Sequence, residues 1–510
     1  MALSLSICRA GSCPISNIRE PVRGEVNERV PRQRHPSFGV SERAPILTGG
    51  GQGHWVTTTR RLVWVCAGFL FAAMLGASTD AVAGVLGDMG RSAVLPRDVP
   101  FGSFRVDLSA NLRMRFESDD QFDVREYRPG FSDGFLLSRV MLDFSLRHGA
   151  NRILFLQLRD ARAFDSKLQR GNFKRSNPIE DPLDIRQAYG EWQDIGGSGI
   201  GFRVGRQQIS YGDQRVFGPG LWGNTGRYVW DAAMMNYAQT GFKVDGWLGH
   251  IIENRPELWP NRATDAPTAM VIYASFPHKA DRWDLFVASK YNRSFDTIGE
   301  SGRGKLLAYY AGTQFKTTPY QPLELTGTLV HQWGDYGTDR LRAWGANAGS
   351  WLNISMPCSI RFGAQYTHGS GDADPHDGVH GTFDGVFGGA DINFYGDLNL
   401  FYWANLQDYE CDFRITPRPG VRLYAEFHRY LLDHSKDAWY TTSMRPLARD
   451  VNGMASRDLG SEMNFRMTLV MRPRLEWMCG YGIFVPGHYA RQYGSGWYAR
   501  WLFGQVSWTV

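Results

Sequence analysis

The stretch FRVDLSANLRMRFE, residues 104–117, has an apolar side chain at every second position and a polar or charged side chain at each position between. Successive side chains of a β-strand point to opposite faces, so this period of two predicts one strand with an apolar face and a polar face. The polar face carries three arginines, Arg105, Arg113 and Arg115. Either face of such a strand can meet water, and the rest of the chain decides which one does.

The period of two recurs along the chain and predicts an all-β protein. It fits a soluble sandwich with polar faces outside, or a membrane barrel with apolar faces outside. Strands of soluble proteins most often have about 5–6 residues, whereas a tilted membrane strand has about 9–11, and several runs here reach that length. The recurring runs lie at 136–147, 283–292, 398–407, 462–469 and 496–510.

An export signal favours the barrel. Arg60 and Arg61 precede an apolar run from Leu62 to about Ala77, and Ala81-Val-Ala83 follows as a cleavage site. This is the pattern of a secretory signal peptide, and the apolar run is too short for a spanning helix. An exported chain of long alternating strands predicts a transmembrane antiparallel β-barrel in the outer membrane.

The chain is predicted to divide into four parts. Residues 1–59 are rich in Arg, Pro and Gly without apolar periodicity, which indicates a non-native or disordered extension; a true start at Val56 is the alternative. Residues 60–83 form the signal peptide and 84–103 a short N-terminal segment. Residues 104–510 form the barrel, with about 16 to 18 strands at roughly ten residues each plus turns.

Charge and motifs exclude other classes. The formal net charge is +5, but residues 1–83 hold nine arginines against five acidic residues, so the remainder is nearly neutral and not a general nucleic-acid surface. No HExxH, GxSxG or P-loop pattern occurs, so we expect no enzyme. His428, beside Glu426 and Tyr430, is expected to share a hydrogen-bond network rather than to catalyse.

One cluster resembles a metal loop. In GDADPHDG, residues 371–378, Asp372, Asp374 and Asp377 are spaced as in a calcium loop, but Pro375 interrupts it and Phe383 stands where the glutamate would be. These departures favour a turn. We expect no cofactor, with Ca²⁺ at this cluster as the alternative.

Several collinear segments resemble the alginate export family of outer-membrane proteins. The segment GRQQISYGDQRVFGPGLWGNTGRYVWDA, residues 205–232, is similar to the family's signature, and LDIRQAYGEW, 183–192, to the preceding strand. Three later segments follow in the family's order, at 367–387, 399–440 and 459–489. The resemblance covers roughly residues 104–510. It implies an 18-stranded barrel whose narrow, arginine-rich pore passes alginate or a related polyuronate.

A polyuronate carries about one carboxylate per sugar, and arginine suits it because the guanidinium stays ionised and grips a carboxylate with two parallel hydrogen bonds. For each arginine the alternative is a structural pair with an acid on the next strand. The available acids are Asp107, Glu117, Asp143, Glu324, Glu426 and Glu462. The residues predicted to line the substrate pathway are Arg105, Arg113, Arg115, Arg139, Arg147, Arg159, Arg186, Arg215, Arg227, Asp231, Arg342, Arg361, Arg422, Glu462 and Arg466.

The segment from Tyr211 to Asp231 is predicted to fold inward as a constriction, because its five glycines and Pro219 make a regular strand implausible. An ordered outer loop is the alternative. If Gly205 faces the lumen, Arg206 meets lipid, which requires a bulge or a position at the membrane rim.

We therefore expect an anion-selective outer-membrane channel, a monomer in contact with lipid, that exports an anionic polysaccharide, with periplasmic secretion proteins as potential partners and no nucleic acid. A passive uptake porin for small anions is the first alternative. A barrel enzyme built on His428 and Glu426 is the second.

Overall fold

The structure, a computed structural model, describes residues 95–510 except 125, 129, 174–175, 264–266, 356–357, 389–393 and 473. The predicted extension and signal peptide, and residues 84–94 of the following segment, lie outside the described residues. In the part of the chain that is described, no helix is long and apolar enough to cross a membrane.

Eighteen antiparallel strands form a closed barrel, as the alternation and the family resemblance predicted. The barrel closes where its first strand, β2 (Phe104–Asp120), pairs with its last, β22 (Ala499–Thr509). Closure leaves no free strand edge, which is the condition for a sheet to exist in hydrocarbon.

The other strands pair in chain order. Four short strands lie outside the wall: β1 (Val99–Phe101), β15 (Val379–His380), β18 (Ala438–Tyr440) and β19 (Pro446–Arg449). One short helix, α1 (His488–Tyr493), follows the last but one wall strand. The remaining wall strands are β3 (Ser132–His148), β4 (Arg152–Phe164), β5 (Asp181–Trp192), β6 (Ile200–Gln207), β7 (Trp230–Gln239), β8 (Phe242–Ile251), β9 (Thr268–His278), β10 (Asp281–Ile298), β11 (Arg303–Tyr320), β12 (Leu323–Gly337), β13 (Asp339–Ser355), β14 (Ser359–Gly369), β16 (Leu406–Arg418), β17 (Val421–Leu432), β20 (Asp458–Arg472) and β21 (Leu475–Pro486).

The apolar faces point outward. Leu154, Leu329 and Phe465 each expose 54–55% of their surface, while their polar neighbours along the strand point inward. A contiguous apolar outer face is unfavourable in water and fits the acyl chains of a membrane. The strand 104–117 therefore turns its apolar side to lipid and its arginines to the lumen.

The two ends of the barrel differ. At one end the strands are joined by short turns such as 240–241 and 419–420, and at the other by long loops such as 208–229, 370–405 and 433–457. Bacterial barrels have short periplasmic turns and long extracellular loops. The long loops therefore mark the outer end.

The predicted strand at 398–407 is wrong. Only its end belongs to the wall, because β16 begins at Leu406. Leu398, Phe401 and Trp403 are each at most 3% exposed although they stand at both odd and even positions. The segment is a loop packed inside the barrel, where side chains of both parities are surrounded by protein.

Candidate functional site

Two outer loops fold into the barrel and meet there. We call residues 208–229, between β6 and β7, the plug loop, and residues 370–405, between β14 and β16, the long loop. The amide of Phe387 in the long loop donates to the carbonyl of Val216 at 3.0 Å, and Gly218 of the plug loop donates back to Phe387 at 3.3 Å.

Aromatic side chains surround this contact. Phe217 packs edge-on against Phe286 and Tyr273 of the wall, with ring centroids 5.3 and 5.8 Å apart, and lies 6.0 Å from the ring of Phe387. Phe217 and Phe387 are at most 2% exposed. The paired loops thus place a dry aromatic layer across part of the lumen.

Arginines of the neighbouring wall hold the plug loop by its backbone. Arg113 of β2 donates to the carbonyls of Trp222 at 3.0 Å and Gly223 at 3.2 Å. Arg139 of β3 donates to the carbonyl of Leu221 at 2.9 Å. Arg113 and Arg139 are directly opposite each other across the strand pair, a position where like charges repel. The loop carbonyls carry partial negative charge, and their contacts with both guanidinium groups offset the repulsion between Arg113 and Arg139.

Two further arginines combine loop and wall contacts. Arg115 donates to the carbonyl of Trp222 at 2.9 Å, stacks over its ring at 4.4 Å and pairs with Glu117 at 2.6 Å. Arg159 of β4 donates to the carbonyl of Thr225 and pairs with Asp181 of β5. Arg115 and Arg159 therefore face the lumen, as predicted for pathway residues, and each also forms the structural ion pair with an acid that was the alternative.

Arg186 of β5 completes the group. It is 3% exposed, and its Nη2 has no hydrogen-bond partner among the described residues. Its guanidinium lies against Gly226, where an added Cβ would come within 2.5 Å of Nη2. A buried guanidinium with an unused donor can bind an anion through a charge-assisted hydrogen bond. We call Arg113, Arg115, Arg139, Arg159 and Arg186 the arginine cluster.

The two predicted arginines of the plug loop point away from the cluster. Arg215 is buried, donates to Gln365 at 3.0 Å and lies over the ring of Phe394 at 4.8 Å. Arg227 donates to the carbonyl of Thr442 at 2.7 Å and faces a cavity on the outer side of the loops.

The other predicted arginines lie in separate ion pairs along the wall. Arg105 is exposed and Arg147 is half-buried at the periplasmic end, where both pair with Asp98. The remaining pairs are Arg361 with Glu324 at 2.8 Å, Arg422 with Glu476 at 2.8 Å, and Arg466 with Asp397 and Glu426 at 3.4 Å each. Glu462 faces inward, is fully buried and accepts from Asn464 at 2.9 Å.

Two predicted pathway residues are on the outer face, so their assignment to the lumen is wrong. Trp230 of β7 points inward, which turns Asp231 outward, where it pairs with Arg206 at 2.8 Å near the outer end of the barrel. Gly205 adopts φ +127° and faces inward, so Arg206 points outward. Arg206 lies at the rim of the barrel, which is one of the two positions that the sequence allowed for it. In β13 Leu341 and Ala343 are buried, and Arg342 between them is exposed on the outer face.

A second buried polar group lies on β16 and β17, where Asp408 and Glu410, which were not predicted from the sequence, join His428 and Glu426. Nδ1 of His428 is 3.0 Å from Asp408, and its Nε2 is 3.6 Å from Glu426, the network expected for this histidine. Among the described residues, Asp408, Glu410 and His428 form the one set whose ligand atoms, all within 4.8 Å, could hold a metal ion. Asp408, Glu410 and His428 stand at inward-facing positions of the alternation in β16 and β17, so the alternation alone could have predicted that they lie in the lumen.

The aspartates of the predicted turn do not converge. Asp374 and Asp377 are exposed, whereas Asp372 is buried in the outer cavity. Burial, together with a hydrogen bond to Glu300, raises the pKa of Asp372 from 3.8 to about 7. Nearby, burial lowers the pKa of His380 to about 4, so this imidazole is neutral at physiological pH.

Two cavities lie on the two sides of the paired loops. The outer one, about 950 Å³, is lined by Arg227, Lys290, Tyr402 and Arg449 among others. The periplasmic one, about 860 Å³, is lined by residues such as Arg203, Tyr211 and Lys243. A charged vestibule, a layer of loops and a second vestibule therefore follow one another along the lumen.

Fold and site together define an outer-membrane channel protein. The profile of the alginate export family matches residues 104–499, and the chain belongs to this family. Among curated proteins, none matches the sequence significantly.

Solved structures of Pseudomonas aeruginosa outer-membrane proteins share the fold. OpdK with vanillate has a TM-score of 0.52 at 10% identity, covering 79% of this chain and 98% of that one. OccK2 (OpdF) in complex with glucuronate and OccK8 (OprE) each have a TM-score of 0.51 at 11% identity, with the same coverage. At this identity the likeness concerns the barrel alone.

Proposed function

We propose that this channel exports an anionic polysaccharide, alginate or a related polyuronate, without catalysing a reaction. The observation that carries the proposal is the arginine cluster, four of whose five guanidinium groups donate to backbone carbonyls of the plug loop. A carboxylate binds guanidinium more strongly than a carbonyl does, because it is charged and can accept two parallel hydrogen bonds.

The carbonyls at 221–225 are therefore stand-ins for the carboxylates of the polymer. In the closed channel they occupy Arg113, Arg115, Arg139 and Arg159. When the plug loop moves aside, the same donors face the lumen as a row of anion sites on three adjacent strands. When a carboxylate of the polymer replaces a loop carbonyl, each buried guanidinium keeps a hydrogen-bond acceptor. The exchange therefore avoids the cost of an unpaired buried charge.

Transport also requires release. Glu117 and Asp181 pair with two of the five arginines, which limits how tightly a passing carboxylate can bind. Several weak adjacent sites allow a polymer to advance from one to the next, whereas an unopposed arginine ladder would retain it.

The test is single-channel conductance of the purified protein in planar bilayers, titrated with oligouronates and with neutral oligosaccharides of matched length. We expect the oligouronates to block at concentrations at least tenfold lower than the neutral sugars. Equal block by both would contradict the proposal.

Passive uptake of small organic anions is the second candidate. Its support is the pair of separate cavities, each large enough for a sugar acid, on the two sides of the loops. The dependence of block on oligouronate length separates the two functions. In a channel that exports polymer, longer oligouronates should block at lower concentration, whereas in an uptake channel for single sugars the blocking concentration should not fall beyond one sugar.

A further inference from the structure

Four cations lie on the outer face of the barrel close to its outer end. They are Arg293 of β10, Lys305 of β11, and Arg340 and Arg342 of β13. All four are exposed, and no ion pair is recorded for any of them within the described residues. We call these four residues the rim patch.

The strand register fixes their direction. Arg342 is opposite Trp333 of β12, and Trp333 and Trp344 are 39% and 41% exposed on the lipid-facing side. Lys305 follows the buried Gly304, and its ammonium lies 5.6 Å from the exposed ring of Phe295. The rim patch therefore projects away from the lumen, where a transported polymer cannot reach it.

The height of the rim patch follows from the aromatic rows. Tyr309 stacks on Trp333 at 5.9 Å, level with Arg342, and Trp283 stacks on Phe315 at 5.1 Å near the other end of the same strands. Ten residues separate Trp283 from Arg293. At about 3.3 Å per residue and a tilt of about 40°, that is roughly 25 Å, the height of the apolar band of an outer-membrane barrel.

Arg293 thus stands at the upper edge of the hydrocarbon layer. The register places Arg340 and Arg342 one and two residue pairs lower, level with the upper aromatic row, from where their long side chains extend to the headgroup region of the outer leaflet. An arginine on a lipid-facing strand costs about 2–4 kcal/mol at the bilayer midplane but about 0–1 near the interface. Among the described residues of these four strands, the acid that the register places beside the patch is Asp335, opposite Arg340, so the charge of the patch is predominantly positive. Three strand spacings of about 4.8 Å give the patch a width of roughly 15 Å.

We propose that the rim patch binds the phosphate groups of an anionic glycolipid of the outer leaflet. The charge is complementary to phosphate, and the aromatic rings just below lie where the acyl chains of the same lipid begin. The lipid holds β10–β13, the longest neighbouring wall strands, at a fixed depth.

The experiment is native mass spectrometry of the full-length protein in detergent with bisphosphorylated lipid A as the probe. R340Q/R342Q should lower lipid affinity about thirtyfold, which corresponds to roughly fivefold for each cation removed near the surface. R340K/R342K, which keeps both charges, should retain most of the binding. The matched control is R152Q, an exposed outward arginine at the periplasmic end of β4.

Four results would overturn the proposal. They are unchanged lipid occupancy in R340Q/R342Q, an equal loss in R152Q, equal binding of lipid A that lacks phosphates, and full displacement of the lipid by millimolar inorganic phosphate, which would indicate a free-anion site. The heat-dependent shift in gel migration checks that each variant is folded. Oligouronate block of the channel should be the same in R340Q/R342Q as in the wild type, so this test is independent of the proposed export.

Discussion

At the scale of single residues, the closed state depends on a close approach that only glycine permits. Gly226 has φ +71°, and an added Cβ would lie 2.5 Å from Nη2 of Arg186. The missing side chain leaves room for the guanidinium beneath the plug loop. The glycines of this segment were readable from the sequence, but the arginine beneath Gly226 depends on how β5 and the loop pack.

Gly226→Ala should therefore loosen the plug loop and raise the mean single-channel conductance severalfold, because both the backbone strain and the contact with Arg186 oppose the closed position. The control is Gly130→Ala. Gly130 has the same φ of +71° but nothing within 4 Å of an added Cβ. Equal conductance of the two variants would show that the packing at Gly226 does not hold the gate.

Asp372 predicts a pH dependence of the long loop. Its pKa of about 7 in the folded protein exceeds the ordinary 3.8, so the protonated form stabilises the loop's contact with Glu300. This contribution is complete below about pH 4 and is lost as the pH rises through 7. Hydrogen exchange in residues 370–384, corrected for its intrinsic pH dependence, should quicken between pH 5 and 8.

Asp372→Asn provides the matched comparison, since an amide can donate to Glu300 at every pH. In this variant the additional exchange between pH 5 and 8 should be absent. If the variant shows the same increase as the wild type, another group controls the loop.

At the scale of elements, the plug loop and the long loop act as one layer because they bond to each other as well as to the wall. The sequence predicted that the plug loop turns inward, since its glycines exclude a strand. It did not predict that backbone carbonyls would be the partners of the arginines, because main-chain groups are the same in every sequence. It also misassigned the long loop's end as a strand, since apolar alternation looks alike in a wall and in a packed lumen.

The aromatic contact between the loops can be tested by a double-mutant cycle. Phe217→Ala and Phe387→Ala should each raise the single-channel conductance. The conductance of the double variant should be only slightly higher than that of the more conductive single variant, because both rings belong to the same contact. Phe413→Ala, on the lipid-facing side, is the control that should change nothing. Additive increments from the two loop variants would show that the loops move independently.

At the scale of the whole molecule, the fold was accessible from the sequence because a period of two over long strands admits few solutions in an exported protein. The inward arginines of β2–β5 followed from the same parity. Arg342 and Asp231 were misplaced because both were assigned from chemistry, without a continuous run of alternation to fix their side. Which arginines gather around one loop depends on the three-dimensional register of four strands.

The central claim is that the arginine cluster both holds the plug loop and selects anions once the loop has moved. The most direct measurement is the anion-to-cation permeability ratio, from reversal potentials in a salt gradient, for Gly226→Ala and for the double variant R113Q/R139Q. Both should conduct more than the wild type, because both weaken the closed state. We expect Gly226→Ala to keep the anion preference and R113Q/R139Q to lose most of it. An equal anion preference in the two variants would show that these arginines do not select the permeating ion.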